Sequence, residues 1–362
     1  HSTDIHRLHA VFRRIVAGGS SLVVVEHAPE TIAAADWLVD IGPGPGEAGG
    51  ELLHNGPPPW RQGTREPATI DDAAASASAT LSFALGKRGS TAPARCRAEA
   101  GQRLELTGVT KHNLRSVDVA FALGRFNAVS GVSGAGKSTL VFDALVPGLT
   151  RGSGDVARRD LPLRELRGGD AVGSVIAVDQ NPIGRTPRSN PATYTKAFDR
   201  IRDLFAAEPA AKEQGFGKGH FSMNVEGGRC EGCHGAGVQT VGMHFLGDVE
   251  VPCGQCGGRR FDQAVLGVRY RGKSIVDVLE MAVSEARGLF AQEPSVARIL
   301  DAMVDLGLGY LRLGQPSTTL SGGEAQRIKL ATQLAKKARG HCLYVLDEPT
   351  SGLHQADVEV LI

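Results

Sequence analysis

The stretch Gly131-Val-Ser-Gly-Ala-Gly-Lys-Ser-Thr139 constrains this chain more than any other, because glycine, four residues and then Gly-Lys-Ser demand a particular local fold. Such a loop works between a buried strand and the first turn of a helix. Phe126-Asn-Ala-Val-Ser130 before it reads as the strand, and Leu140–Leu145 after it reads as the helix. Gly131, Gly134 and Gly136 let backbone N–H groups converge on phosphate oxygens, and the helix N-terminus adds partial positive charge. Lys137 can neutralise the β and γ phosphates of a nucleotide, the Ser138 hydroxyl can ligate Mg²⁺, and Thr139 completes the set. An α/β chain is expected.

Two later segments belong with this loop. Cys342-Leu-Tyr-Val-Leu-Asp-Glu-Pro349 is an apolar run ending in two acids, which predicts a buried strand with Asp347 and Glu348 at its end. There Asp347 can hold Mg²⁺ and Glu348 can polarise an attacking water. Leu320-Ser-Gly-Gly-Glu324 opens a helix running through Lys337. Ser321, Gly322, Gly323 and Glu324 at a helix N-terminus make a second anion site.

The six cysteines carry a separate signal. Cys230-Glu-Gly-Cys233 and Cys253-Gly-Gln-Cys256 are two Cys-x-x-Cys pairs, each followed by glycines, while Cys96 and Cys342 stand alone. Paired spacing of this kind predicts a four-thiolate Zn²⁺ site rather than disulfides. A closed four-thiolate zinc is structural. The intervening Val238–Val251 is long enough for a short β hairpin.

Composition adds limits. The chain of 362 residues carries 40 basic and 39 acidic side chains, a net charge of +1, so a basic surface has to be local. No run of 18 apolar residues is present, which excludes a spanning helix of the usual kind. There is no signal-peptide pattern, and a cytoplasmic protein is expected. Residues 185–273 hold 13 Lys/Arg against 9 Asp/Glu. Arg185, Arg188, Lys218, Arg229, Arg259 and Arg260 flank the cysteines there; on charge alone they read as a solvated mixed-charge surface, and they become candidate DNA-phosphate contacts, with no base-reading set, only if the chain meets DNA.

Along the chain, residues 4–17 read as a helix, Ser21–His27 as a buried strand and Pro29–Asp36 as a helix. The Pro/Ala/Ser-rich residues 57–100 read as a linker. Short strands follow at Leu104–Leu106 and Val117–Phe121, and residues 141–319 form a long excursion that holds the apolar run Val175–Val178, the cysteine pairs and the amphipathic Ile299–Leu306. His1-x-x-Asp4-Ile-x-x-Leu8 matches His354-x-x-Asp357-Val-x-x-Leu361, as expected of one period of a tandem protein.

Longer motifs carry a resemblance. Asp179-Gln-Asn-Pro-Ile-Gly-Arg-Thr-Pro-Arg-Ser-Asn-Pro-Ala-Thr-Tyr194, Val225-Glu-Gly-Gly-Arg-Cys-Glu-Gly-Cys233, Met243-His-Phe-Leu246, Leu306 through Glu324 and Asp347-Glu-Pro-Thr-Ser-Gly-Leu-His354 together resemble the UvrA family of excinuclease ABC proteins, the DNA-damage-sensing ATPases of bacterial nucleotide excision repair. The resemblance implies an ABC-type P-loop ATPase fold with an inserted helical signature region carrying a zinc ribbon over 225–262. It implies that 1–56 is the tail of a first cassette, 57–100 a linker and 101–362 most of a second cassette. It implies ATP and Mg²⁺ at Gly131, Gly134, Gly136, Lys137, Ser138, Thr139 and Asp347, with Glu348, Lys137 and Gln180 catalytic. Ser321–Glu324 would then contact the nucleotide of an opposite cassette, and His27 would be the switch histidine of the preceding one. A homodimer, double-stranded DNA and a helicase partner are implied, and no membrane.

The family's usual lysine is Glu226 here, its linker Tyr-Leu-Ser-Gly is Phe83-Ala-Leu-Gly86, and its Leu-Pro-Asp is Leu246-Gly-Asp248. A paralogue conferring resistance to DNA-binding drugs is the second reading. A transporter motor ATPase is the third, and such motors lack a cysteine module between phosphate loop and signature.

Overall fold

The computed structural model describes residues 102–124, 127–131, 134–150, 161–242, 249–336 and 341–349, together with parts of 9–58, Ser78 and Thr80. It divides into two compact units, one formed by residues 1–179 with 337–360 and the other by 180–336. Residues 141–179, the start of the expected excursion, thus belong with the phosphate loop.

In the first unit, alternation of apolar residues builds a three-stranded antiparallel sheet. Strand β3 (Arg103–Val109) lies between β4 (Val117–Ala122) and β5 (Glu165–Arg167). Leu104, Leu106 and Val109 are fully buried, and they pack with Phe121 against Leu140, Ala144 and Leu145. Those last three lie on a helical stretch, Thr139–Leu145, wound with i→i+5 bonds and continued by α2 (Val146–Thr150). Earlier in the chain come α1 (Pro29–Ala34) and the hairpin of β1 (Leu38–Gly42) with β2 (Glu51–Gly56). Sequence reading missed this hairpin, whose Gly/Pro-rich turn hides the period-2 pattern. Its Asp40 is buried and accepts hydrogen bonds from Ser78 and Thr80.

The parallel pair β6 (Ser174–Val178) and β9 (Cys342–Leu346) matters most to the site. Both are apolar runs followed at once by an acid. Their register sets Val178 opposite Leu346, so Asp179 and Asp347 leave the same end side by side, and the Asp347 N–H donates to the Val178 carbonyl at 3.3 Å.

Two expected strands are not seen among the described residues of their segments. Residues 127–130 are exposed and unpaired in any sheet among the described residues. The Asn127 side chain replaces a ladder there, donating to the Ala122 carbonyl and accepting from the Ala122 N–H, each at 2.9 Å. Residues 22–24 are also non-strand, and Val23 is 92% exposed. A strand needs a neighbour to pair with, and 22–24 has none among the described residues.

The second unit is helical. Ala197, Phe198, Ile201 and Phe205 form the buried stripe of α3 (Ala197–Ala207), and α4 (Ile275–Glu280), α5 (Val283–Leu289) and α6 (Pro294–Asp305) close on it. Aromatic rings fix the centre: Phe205 lies 5.6 Å from Phe221 and 6.0 Å from Tyr270, which stacks on Phe290 at 5.6 Å. Each such buried ring contributes about 2–3 kcal/mol through its removal from water. Backbone bonds stitch the segment before the last helix to this core. Gly314 N–H donates to Leu279, Leu313 to Met281, and Ser317 to Ser189. The segment then enters α7 (Gly322–Leu334).

Candidate functional site

The phosphate loop is shaped by backbone geometry that favours glycine. Gly134 and Gly136 have φ of 75° and 100°, in the left-handed region. A Cβ on Gly136 would lie 2.8 Å from Leu114, so the loop also needs glycine for space. Asn113 donates to the Gly134 carbonyl at 2.9 Å, and Lys137 Nζ donates to the Gly131 carbonyl at 3.0 Å. Sequence reading overlooked Asn113, which lies in a turn with no periodic signal. Val132 and Ser133 lie outside the described residues.

Beside the loop is a cavity of about 410 Å³ lined by Ser138, Thr139, Phe142, Asp143, Ala177, Asp179 and Asp347. The Asp347 carboxyl is held above its ordinary range, first by burial and then by the negative charges of Glu348 and Asp179, with Lys137 opposing. Hydroxyls and crowded carboxylates next to an anion-binding loop suit a hydrated divalent cation with a polyphosphate. Glu348 stands next to Asp347 with φ of 44°, a left-handed conformation uncommon outside glycine. Asp179 was also overlooked. Its signal was available, because Val175–Val178 ends in an acid as Leu343–Leu346 does. His27 and residues 350–362 lie outside the described residues.

Gln180 begins the helical unit and lies near the start of α7, where a Cβ on Gly322 would sit 3.7 Å from its Oε1. Ser321 caps α7. Its Oγ accepts from the Glu324 N–H at 3.2 Å, while Glu324 Oε2 accepts from the Ser321 N–H at 2.8 Å.

The four cysteines come together. The Sγ atoms of Cys230, Cys233, Cys253 and Cys256 all lie within 4.8 Å of one another and are buried. Gly237 N–H donates to Cys233 Sγ at 3.2 Å and Arg260 N–H to Cys256 Sγ at 3.4 Å, as thiolates require. Backbone N–H from Cys256 lowers the Cys253 thiol to about 7, while burial pushes Cys233 up to about 12. A compact set of four sulfurs fits Zn²⁺. His234 stands outside it, on Glu231 at 3.2 Å. The pairs carry a hairpin, β7 (Val238–Val241) with β8 (Val249–Pro252), and Met243–Asp248 lie outside the described residues.

The candidate DNA contacts are mostly engaged within the protein. Arg229 pairs with Glu231 at 3.1 Å and Glu226 at 3.3 Å, and Lys218 with Asp203 at 2.8 Å. Arg188 donates to the His234 carbonyl, and Arg259 to the Cys256 carbonyl and Gln263. Arg260 is half-buried, donating to the Gly314 carbonyl and Met223 Sδ at 3.4 Å each, and burial lowers its pKa. Arg185 is exposed and, among the described residues, has no side-chain hydrogen bond or ion pair. Arg260 is thus a strut between the cysteine module and the segment leading to α7. Arg260→Ala is expected to destabilise the protein by roughly 2 kcal/mol in urea unfolding.

Fold and site together define a mixed helix–strand protein with a glycine-rich loop of the phosphate-binding pattern and a buried cluster of four cysteines that could hold a metal ion. Compared with known proteins, the chain is 50% identical over 363 residues to UvrABC system protein A of Thermus thermophilus, which it matches over its whole length. The same protein of Bacillus subtilis is 46% identical over 362 residues, and that of Streptomyces coelicolor 48% over 365. No family model matches the chain. The crystal structure of UvrA2 from Deinococcus radiodurans superposes with a TM-score of 0.88 at 49% identity, covering 100% of this chain and 42% of that one. Over its whole length the chain is thus homologous to part of UvrABC system protein A. It spans 37% of the length of the Thermus and Bacillus relatives. Among the described residues no helix is long and apolar enough to cross a membrane.

Proposed function

We propose that this chain is the ATP-binding and zinc-bearing part of a DNA-damage-recognition ATPase of nucleotide excision repair. The observation that carries the reading is the cavity where Ser138, Thr139 and Asp347 meet beside the Lys137 loop, in a chain that also gathers four cysteines. Loop N–H groups and Lys137 hold the phosphates, and Ser138 and Asp347 hold Mg²⁺, which neutralises charge developing on the phosphates. Glu348 accepts a proton from the attacking water, and Gln180 orients at the γ-phosphate side. Ser321, Gly322 and Gly323 face the nucleotide of an opposite cassette, so a homodimer or tandem pair completes each site. Residues 1–56 are then the tail of one cassette, 57–100 a linker, and 101–362 most of the next.

DNA is held through its backbone by the cysteine-bearing unit, and a helicase is the downstream partner. Sequence-independent contact suits a sensor of deformation. Arg185 is the basic residue best placed to meet a phosphate. In the full-length protein, Arg185→Ala is expected to weaken intact and lesion-bearing duplex alike and to reduce the slope of log affinity against log salt by about one. An unchanged slope would remove Arg185 from the interface, and absence of any DNA binding by the wild type would sink the repair reading. The Glu226–Arg229 pair, where the family usually has a lysine, favours the resistance paralogue as second reading. Equal affinity for intact and damaged duplex would select it.

A further inference from the structure

Glu324 poses an electrostatic difficulty. It sits in the first turn of α7, beside Ser321 and Gly322, whose exposed positions make the mouth of the helix. A carboxylate there competes with any phosphate for the positive end of the helix and repels it as well. The structure meets this with a residue outside the signature. Tyr310 O–H donates to Glu324 Oε1 at 2.5 Å, while Ser321 N–H occupies Oε2. Both carboxylate oxygens are engaged, and Glu324 and Tyr310 are half-buried whereas Ser321 and Gly322 are exposed. Because Ser321 Oγ accepts from the Glu324 N–H, its own O–H proton remains to donate outward. Tyr310 is held in place by its neighbours, since Leu308 N–H donates to Met303 and Leu311 N–H to Leu308.

We propose that Tyr310 is a positioning residue for the signature, drawing the Glu324 carboxylate inward so that the Ser321 hydroxyl and first-turn N–H groups can receive the terminal phosphate of a nucleotide bound by an opposite cassette. The inference rests on the two-cassette ATPase reading above. Tyr310 touches no nucleotide and transfers no proton. Its effect is on the geometry and field that the incoming phosphate meets.

The test uses full-length protein carrying Tyr310→Phe, Glu324→Gln or both. Tyr310→Phe is expected to leave the Kd for ATP at the Lys137 loop within about twofold, and to lower kcat about tenfold for the loss of one charge-assisted hydrogen bond. Adding Glu324→Gln is expected to restore at least half of that loss, because a neutral amide at the helix mouth no longer repels phosphate. A purely structural role for Tyr310 would instead lower the midpoint of urea unfolding in Tyr310→Phe, and kcat would not recover on neutralising Glu324. The proposal is overturned if kcat is unchanged in Tyr310→Phe, if the double variant is as slow as the single one, or if Tyr310→Phe weakens ATP binding as much as it slows turnover. If Lys137→Ala left ATP binding intact, the ATPase reading itself would fall, whatever Tyr310 did.

Discussion

Lys137→Ala is expected to weaken ATP binding about 100-fold at this site, measured by titration of a fluorescent nucleotide, with little change in folding. The reasoning is local. Lys137 Nζ lies against the Gly131 carbonyl, across the loop that would surround the phosphates, and its charge opposes the upward shift of the Asp347 carboxyl. Removing it leaves the loop N–H groups but deletes the one full positive charge that they surround. A charge-assisted contact to phosphate contributes up to roughly 3 kcal/mol, which corresponds to about two decades in Kd. Asp347 should respond as well. Lys137 opposes the upward shift of its carboxyl, so the alanine variant is expected to raise that carboxyl further. Retention of wild-type ATP affinity in a protein whose other cassette is disabled would refute the assignment of the loop.

Cys253→Ser should eliminate bound zinc, falling from one equivalent in this module to near zero by elemental analysis, and should unfold the 225–262 region to proteases. Structural four-thiolate sites supply much of the folding free energy of the modules they close. Here the dependence is visible in the packing: the four cysteines with Ala236 form their own small cluster, separate from the main core of the helical unit. Between them run bonds such as Cys253 N–H to the Gly237 carbonyl and Cys230 N–H to the Arg260 carbonyl, which have little other support. Metal requires deprotonated sulfur, so protons compete with it and affinity falls as pH falls. Burial pushes the Cys233 thiol up to about 12, so its proton is one that metal has to displace. A variant that kept stoichiometric zinc would exclude Cys253 as a ligand.

How much of the fold and site is legible in the residues alone differs from feature to feature. The apolar runs 175–178 and 342–346 declare strands because strands of a parallel pair need no alternation, although the pair is only partly buried here, with Ala177 and Tyr344 exposed. The Cys-x-x-Cys pairs and the Ser321 cap are equally plain, since each depends on spacing within a few residues. The β1–β2 hairpin is not, because its turn is a glycine–proline run and its outer face exposes Val39 and Ile41. The strand expected over 126–130 fails because Asn127 satisfies the chain end locally. Charge counting is the weakest guide. It finds the arginines near the cysteines but cannot tell that Arg229, Arg259 and Arg260 spend their donors inside the protein, because an ion pair is a fact of three dimensions. Asp179 and Tyr310 each lie in a long motif, yet only pairing across the fold gives them neighbours that suggest a task.

The pairing of β6 with β9 also has a bearing on biosynthesis. Ser174 and Cys342, which face each other across that pair, are 168 positions apart in the chain. Everything between Gln180 and Lys336 is translated before β9 exists, and helical segments of that size can fold while still attached to the ribosome. The wall of the cavity that Asp347 contributes is therefore the last part to arrive. A nascent chain interrupted between residues 262 and 341 has its glycine loop and all four paired cysteines but no second carboxylate beside Asp179. The second carboxylate of that cavity is thus in place only after the cysteine-bearing unit has been translated.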